Sequence, residues 1–339
     1  MRKTILGLLL TICQVSMSAT YNVRDFGAKG DGKALDHVAI NQAIEVASNN
    51  GGGQVLLPAG IYLCGSIRLK SNIDLHLMAG AKILAAPAEL KAYDESEVFG
   101  APEYQDGGHT YFHNSLIWAE GQQNVSITGR GMIDGEGLTK RDTEKAGNVQ
   151  GGSIGTGDKA IALKLCRNVT IRDITIFRGG HFAIITTGCD IGTIDNVTID
   201  TIVHHYPIYI TTGCRNRGPK ERTEVSSARD IYINNVIADD CDSLAGIIVT
   251  GMEGTPIKNV SLSNIRIQYR GGGQRVTTPY REQGANYPEP RWAGPTPAYG
   301  LFARHVDGLR LRNVRFELMR PDERPDIILE DVINDDIEQ

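Results

Sequence analysis

The chain has 339 residues, and its 35 Lys and Arg against 40 Asp and Glu leave a formal charge of −5, with 41% hydrophobic, 22% charged and 6% aromatic residues. This is the composition of an ordinary folded domain, and without a block of five or more like charges it predicts no nucleic-acid partner and no docking on anionic lipid. The 39 glycines fall in turns between short β-rich runs, so the chain turns often.

Residues 1–19 carry Arg2 and Lys3, an apolar stretch from Ile5 to Ile12, and small residues through Ser16, Ser18 and Ala19. They read as a secretory signal peptide, with the mature chain starting near Thr20 and a secreted or periplasmic product. Ile12 before Cys13 is too large for a lipoprotein signal, and the apolar run is shorter than the roughly 20 residues a membrane span needs. From Asp36 to Ser48 the residues Ile40, Ala43, Ile44 and Ala47 recur at helical spacing behind Asp36 as N-cap, which predicts one amphipathic helix.

Beyond the helix a different periodicity takes over. The unit Asn168-Val-Thr-Ile-Arg-Asp-Ile-Thr-Ile returns at Ile191, Asp230, Asn259 and Gly308, so that successive copies begin 23, 39, 29 and 49 residues apart, and looser copies begin at Asn72 and Asn124. Each unit reads as two short strands of alternating pattern joined at an Asx or Gly turn. A unit this small cannot bury an apolar face alone, so the copies must stack. The pattern predicts an all-β fold, a parallel β-helix with the helix as N-terminal cap, in one domain over residues 20–339. A β-propeller needs blades of roughly 40 residues and is disfavoured. Residues 139–159 and 271–298 interrupt the repeat as long loops, the second carrying Tyr280, Tyr287 and Trp292.

Other signals are weaker. Gly152-Ser-Ile-Gly-Thr-Gly-Asp-Lys159 lacks the βαβ context of a phosphate loop, and His109 with His113 would pair on a metal only from a helix, so no metal and no cofactor are expected. The Asn-Val-Ser and Asn-Val-Thr triplets at Asn124, Asn168, Asn196 and Asn259 match a glycosylation sequon, but the repeat explains them as stacked turn residues. Cys166 and Cys189 lie one local repeat apart and should stack on adjacent coils.

The opening Asn22-Val-Arg-Asp-Phe-Gly-Ala-Lys-Gly-Asp-Gly and Gly51-Gly-Gly-Gln-Val-Leu-Leu-Pro-Ala-Gly-Ile-Tyr resemble the start of pectin-lyase-like β-helix proteins. Gly108-His-Thr-Tyr-Phe-His-Asn-Ser-Leu-Ile, Gly129-Arg-Gly-Met-Ile-Asp-Gly-Glu-Gly and the segment from Lys159 to Ile171 extend this to a resemblance to glycoside hydrolase family 28, the polygalacturonases, over nearly the whole chain. The resemblance implies a right-handed, single-stranded parallel β-helix that cleaves pectic galacturonides with inversion. Inversion needs an acid and a base carboxylate about 6.5–9.5 Å apart, which the family carries on Asn-x-Asp and Asp-Asp motifs followed by Gly-His-Gly and Arg-Ile-Lys. None of the four stands in its expected place: Asn72-Ile-Asp74 lies too early, Asp239-Asp240 too late, Asn334-Asp-Asp336 in the tail, and Arg266-Ile-Gln268 ends in Gln. The family pattern breaks between Thr201 and Ile202, where about four coils are missing by typical repeat length.

Around that break the catalytic candidates are Asp195 and Asp200, and the candidate substrate contacts are His204, His205, Tyr206 and Trp292. Three readings stay open: a monomeric exported hydrolase of pectic polysaccharide with an unrecognised carboxylate pair, an inert scaffold that binds pectic oligosaccharides such as oligogalacturonides, and a purely structural β-helix. A lyase would need calcium held by an acidic cluster, and the sequence shows none.

Overall fold

The computed structural model describes residues 19–97, 111–139, 155–200, 207–214, 225, 227–242, 246–282, 284 and 293–338. Its strands wind as a right-handed parallel β-helix in which every inter-strand pairing between named strands is parallel. In the first half each coil contributes three strands. The first strands, Ile67–Arg68, Ser115–Glu120, Lys159–Lys164 and Phe182–Thr187, form a separate four-stranded wall, and the other strands join one larger sheet.

The repeat spacings of the sequence are the registers of this sheet. Val169 lies against Gly192, Ile194 against Ile233, Ile231 against Val260 and Val260 against Leu309, which are the separations of 23, 39, 29 and 49. Because a strand's side chains alternate, in-register stacking sends one apolar column through the whole solenoid: Val55, Leu75, Ile127, Ile171, Ile194, Ile233, Leu262 and Leu311. At about 25 cal/mol per Å² of apolar surface removed from water, repetition of such columns is what holds coils that cannot fold singly.

The turns stack as well. Asn72, Asn124 and Asn168 adopt positive φ of 62°, 55° and 51°, a region that Asn tolerates better than other non-glycine residues. Asn124 Nδ2 donates to Asn72 Oδ1 at 2.7 Å and Asn168 Nδ2 to Asn124 Oδ1 at 2.8 Å. Asn259 and Asn196 make the same contact to Asp230 and Asp173. The sequon asparagines are therefore turn residues held by their neighbours one coil away.

The helix spans His37–Asn49 and buries Ile40, Ala43, Ile44 and Ala47. Asp36 precedes it but does not cap it; its carboxylate accepts from Lys29 N at 2.6 Å and Gly30 N at 2.9 Å, so it closes the preceding loop instead. The loop expected over 139–159 ends earlier, since Lys159 opens a strand and is fully buried with its ammonium on Asp158 at 2.5 Å. In the later loop Tyr280 is buried edge-on against Phe302, with ring centroids 5.0 Å apart, and pins the segment to the scaffold, while Tyr287 and Trp292 lie outside the described residues. Cys166 and Cys189 stack as expected, with the Cys166 N–H donating to Cys189 Sγ at 3.4 Å. Among the described residues no helix is long and apolar enough to cross a membrane.

Candidate functional site

Several carboxylates among the described residues serve as staples between coils. Asp240 takes a two-point contact from Arg270 at 2.7 Å, Asp239 meets Arg266 at 2.7 Å, and buried Asp134 meets both Arg178 and Lys82. The adjacent acidic pair Asp239-Asp240 is thus tied to arginines of the next coil. Asp195 faces outward from the strand Asp190–Asp200, where its Oδ1 accepts from Asn234 at 2.7 Å and Asn235 at 3.0 Å, within the turn ladder. Asp200 stands opposite Phe177 in register. The side chain of Asp200 and the whole of His204, His205, Tyr206 and Trp292 lie outside the described residues.

A different group concentrates unlike chemistries on the four-stranded wall. Register places Arg68 beside Trp118 and Glu120 beside Lys164, all on its outward face. The segments around residues 94–97 and 112–113 add Asp94, Glu97, Phe112 and His113. Arg68 Nε and Trp118 Nε1 both donate to Asp94 Oδ2, at 2.7 and 2.8 Å. Glu97 is clamped by backbone N–H groups, from Phe112 at 3.0 and 2.9 Å and from His113 at 3.2 Å. Glu120 lies 2.9 Å from both His113 Nε2 and Lys164 Nζ. The His113 ring covers one face of Trp118 at 3.9 Å between centroids and 25° between planes.

The electrostatics are those of a charged, closely coupled set. Burial works to raise the Glu120 carboxyl, but hydrogen bonds from Lys164 and His113 outweigh it and hold it below the usual carboxylate range. At the start of the helix, burial lowers the His37 imidazole, with Asp94 opposing the shift and Arg68 adding to it. Glu97, His113 and Glu120 each place one ligand-type atom within 4.8 Å of the others. The Lys164 ammonium stands 2.9 Å from Glu120 and 3.7 Å from Glu97, so a metal ion would have to displace it. The residues therefore fit an internal cation better than a metal.

The carboxylates of Glu97 and Glu120 approach to within 4.8 Å, closer than the roughly 6.5–9.5 Å that leaves room for an attacking water in inversion. A general acid also needs a raised pKa, and Glu120 has the reverse. What the arrangement offers is an aromatic surface beside hydrogen-bond acceptors and donors, the equipment of a saccharide contact.

No motif marks this charged cluster along the chain, because its members are spread from residue 68 to residue 164. Of its members only His113 stands out in the sequence, spaced from His109 as a metal pair would be on a helix, and His109 lies outside the described residues. One signal was available: outward positions one coil apart, such as Glu120 and Lys164, carry opposite charges.

A scan against family models matches residues 20–279 to the family described as rhamnogalacturonase A/epimerase, pectate lyase-like. The chain is 23% identical over 308 residues to the exo-poly-alpha-D-galacturonosidase of Dickeya chrysanthemi, a match over 75% of this chain and 47% of that one. It is 34% identical over 156 residues to the plasmin and fibronectin-binding protein A of Streptococcus pneumoniae, over 45% of this chain and 20% of that one. The chain spans less than half the length of these two relatives. Among solved structures, the family 28 exopolygalacturonase of Yersinia enterocolitica shares the fold with a TM-score of 0.51 at 17% identity, over 95% of this chain and 78% of that one. Stacked three-strand coils and a family match over most of their length lead to one assignment: the chain belongs to the rhamnogalacturonase A/epimerase, pectate lyase-like family and is a polygalacturonase-like parallel β-helix.

Proposed function

We propose that this chain, exported by a leader at residues 1–19 and folded as one monomeric domain from about residue 20, binds pectic polysaccharide along the outer face of the four-stranded wall. The observation that carries this is the meeting of Trp118 with Asp94, Glu97, His113, Glu120 and Lys164 on that face. Elsewhere among the described residues the ion pairs join coil to coil, as Arg270 does with Asp240, or sequence neighbours, as Arg172 does with Asp173, and Trp118 is the one described tryptophan. The carboxylates accept from sugar hydroxyls, Lys164 donates, and the indole edge supplies apolar contact. The relative named exo-poly-alpha-D-galacturonosidase supports a galacturonide-containing polymer.

Inverting hydrolysis is the second reading, favoured by family membership. Its acids would have to come from outside the wall cluster, and Asp195 and Asp200 are the candidates. One set of measurements separates the two. Calorimetry with polygalacturonate and rhamnogalacturonan should show binding that Trp118→Ala weakens about tenfold, the loss of an aromatic contact of about 1.4 kcal/mol, while no reducing sugar is released. Release of reducing sugar that disappears in Asp195→Asn or Asp200→Asn would establish hydrolysis instead. Absence of binding to either polymer would remove the saccharide reading of the wall.

A further inference from the structure

A second groove opens on the wall made by the second strand of each coil, at Gly53–Leu57, Ile73–Leu77, Gln123–Gly129 and Arg167–Arg172. Its volume is about 360 Å³, near the lower end of the roughly 300–1,000 Å³ of ligand pockets. Asp74, His76, Thr128, Arg130 and Arg172 are among its lining residues. Its floor is formed in part by Gly129, whose φ of 110° and approach to Leu77 leave no room for a side chain, since a Cβ there would fall 2.0 Å from the Leu77 carbonyl oxygen.

The polar groups form a directed chain. Gln54 Nε2 donates to Asp74 Oδ2 at 3.0 Å, and the Thr128 hydroxyl donates to Asp74 Oδ1 at 2.6 Å. A hydroxyl has one proton, and Thr128 has spent it on Asp74. Its 2.8 Å contact with His76 Nδ1 must then run the other way, from Nδ1–H to the threonine oxygen. Neutral His76 is thereby fixed as the Nδ1–H tautomer, with the lone pair on Nε2. Among the described residues Nε2 meets no donor, and the exposed guanidinium of Arg130 has no ion pair. Among the described residues Arg172 is paired only with its neighbour Asp173, at 3.3 Å.

We propose that this groove is a second saccharide site and that it takes a sugar acid. Arg130, joined by Arg172, receives the carboxylate, for which a guanidinium fork is matched, and His76 Nε2 accepts a hydrogen bond from a ring hydroxyl. A simple carboxylate engages the arginines and leaves Nε2 without a donor; a neutral sugar does the reverse. The inference does not rest on the Trp118 wall, which faces a different way around the coil and is built from other residues.

The test is nitrogen-detected NMR of the full chain with 15N-labelled histidine, titrated separately with digalacturonate, galactose and acetate. Before ligand, His76 should show the protonated Nδ1 and bare Nε2 of one tautomer. Digalacturonate should shift the Nε2 resonance, and Arg130→Ala, an exposed change that spares the fold, should weaken that response about tenfold or more. Lys164→Ala and Trp118→Ala should leave it unchanged, whereas loss of the response in either would place the ligand on the other wall and overturn the proposal. It is equally overturned by an Nε2–H tautomer, by no response to digalacturonate, or by an equal response to acetate or galactose.

Discussion

The two halves of the solenoid are built from the same repeat but joined differently. Up to Asp200 the first strand of each coil belongs to a separate four-stranded wall, whereas from Tyr209 onward the corresponding strands, Tyr209–Thr211, Ile247–Thr250 and the start of Leu301–Leu318, are part of the large sheet. Among the described residues nothing pairs Phe182–Thr187 with Tyr209–Thr211. The second wall crosses the same point without a break, since Asp190–Asp200 lies directly on Arg229–Cys241. The cores follow suit: one apolar cluster runs from Val23 to Val197, the other from Ile233 to Leu311, and Ile194 packs against both. Coupling along this protein therefore runs through the walls of the second and third strands, which both continue through Asp190–Asp200, while among the described residues the wall carrying the candidate site shows no pairing across that point.

The largest effect is expected inside the first half. Asp158→Asn leaves the Lys159 ammonium buried beside a neutral amide, and removing one partner of a buried pair costs about 3–5 kcal/mol. Urea unfolding followed by circular dichroism should show a large fall in midpoint. Should the transition split in two, the halves are separate folding units and Ile194 does not couple them.

Leu262→Ala truncates the apolar column in the second half, at about 2–5 kcal/mol for a buried leucine. Trp118 reports on the first half, and in a Trp292→Phe background it is the one remaining tryptophan. If the continuous wall couples the halves, Trp118 fluorescence should follow the same lowered midpoint as the whole chain. An unmoved Trp118 transition would show that stacking through Asp190–Asp200 transmits little.

The halves should also differ in the sign of their pH response. In the first half, Glu120 has its pKa lowered on folding, so its contribution is complete above the unfolded value of about 4.3 and is lost as pH falls through the folded value. In the second half, burial works against charge on His305, but hydrogen bonds to Asp331 and Glu282 raise its pKa overall. Its contribution is therefore complete below the unfolded value of about 6.5 and fades as pH rises through the folded value. Glu120→Gln should lower melting temperature above pH 5 and not at pH 3; His305→Gln should lower it at pH 5 and not at pH 9. Each effect should be about 1 kcal/mol or less, as partly exposed pairs contribute, and matching pH profiles for the two variants would refute the contrast.

The smallest effect is kinetic. Cys64, Cys166 and Cys241 are buried while Cys189 and Cys214 are half-buried, and all five are free thiols. Native alkylation read by mass spectrometry should label Cys189 and Cys214 first, one in each half. Rapid labelling of Cys64 would instead reveal opening under the helical cap.

The solenoid was legible in the sequence because each coil contacts only its neighbours, so a repeat in the chain becomes a register in space. The spacings of 23, 39, 29 and 49 reappear as strand partners, and the helix buries the four residues its period marks. The asparagines at the turns were readable for the same reason: a positive φ recurs wherever the turn recurs. Tertiary structure alone decided what the outward side chains meet. Asp36 has the sequence of a helix cap yet serves the loop at Lys29 and Gly30, and Arg68, Asp94, His113, Glu120 and Lys164 form one cluster although no motif links them. Strands about 4.8 Å apart bring together any residues at the same station of successive coils, however many residues separate them along the chain. The alternation of apolar residues therefore specifies which face is buried, while the partners on the exposed face depend on loop lengths and on where each loop folds back, for which the repeat carries no record.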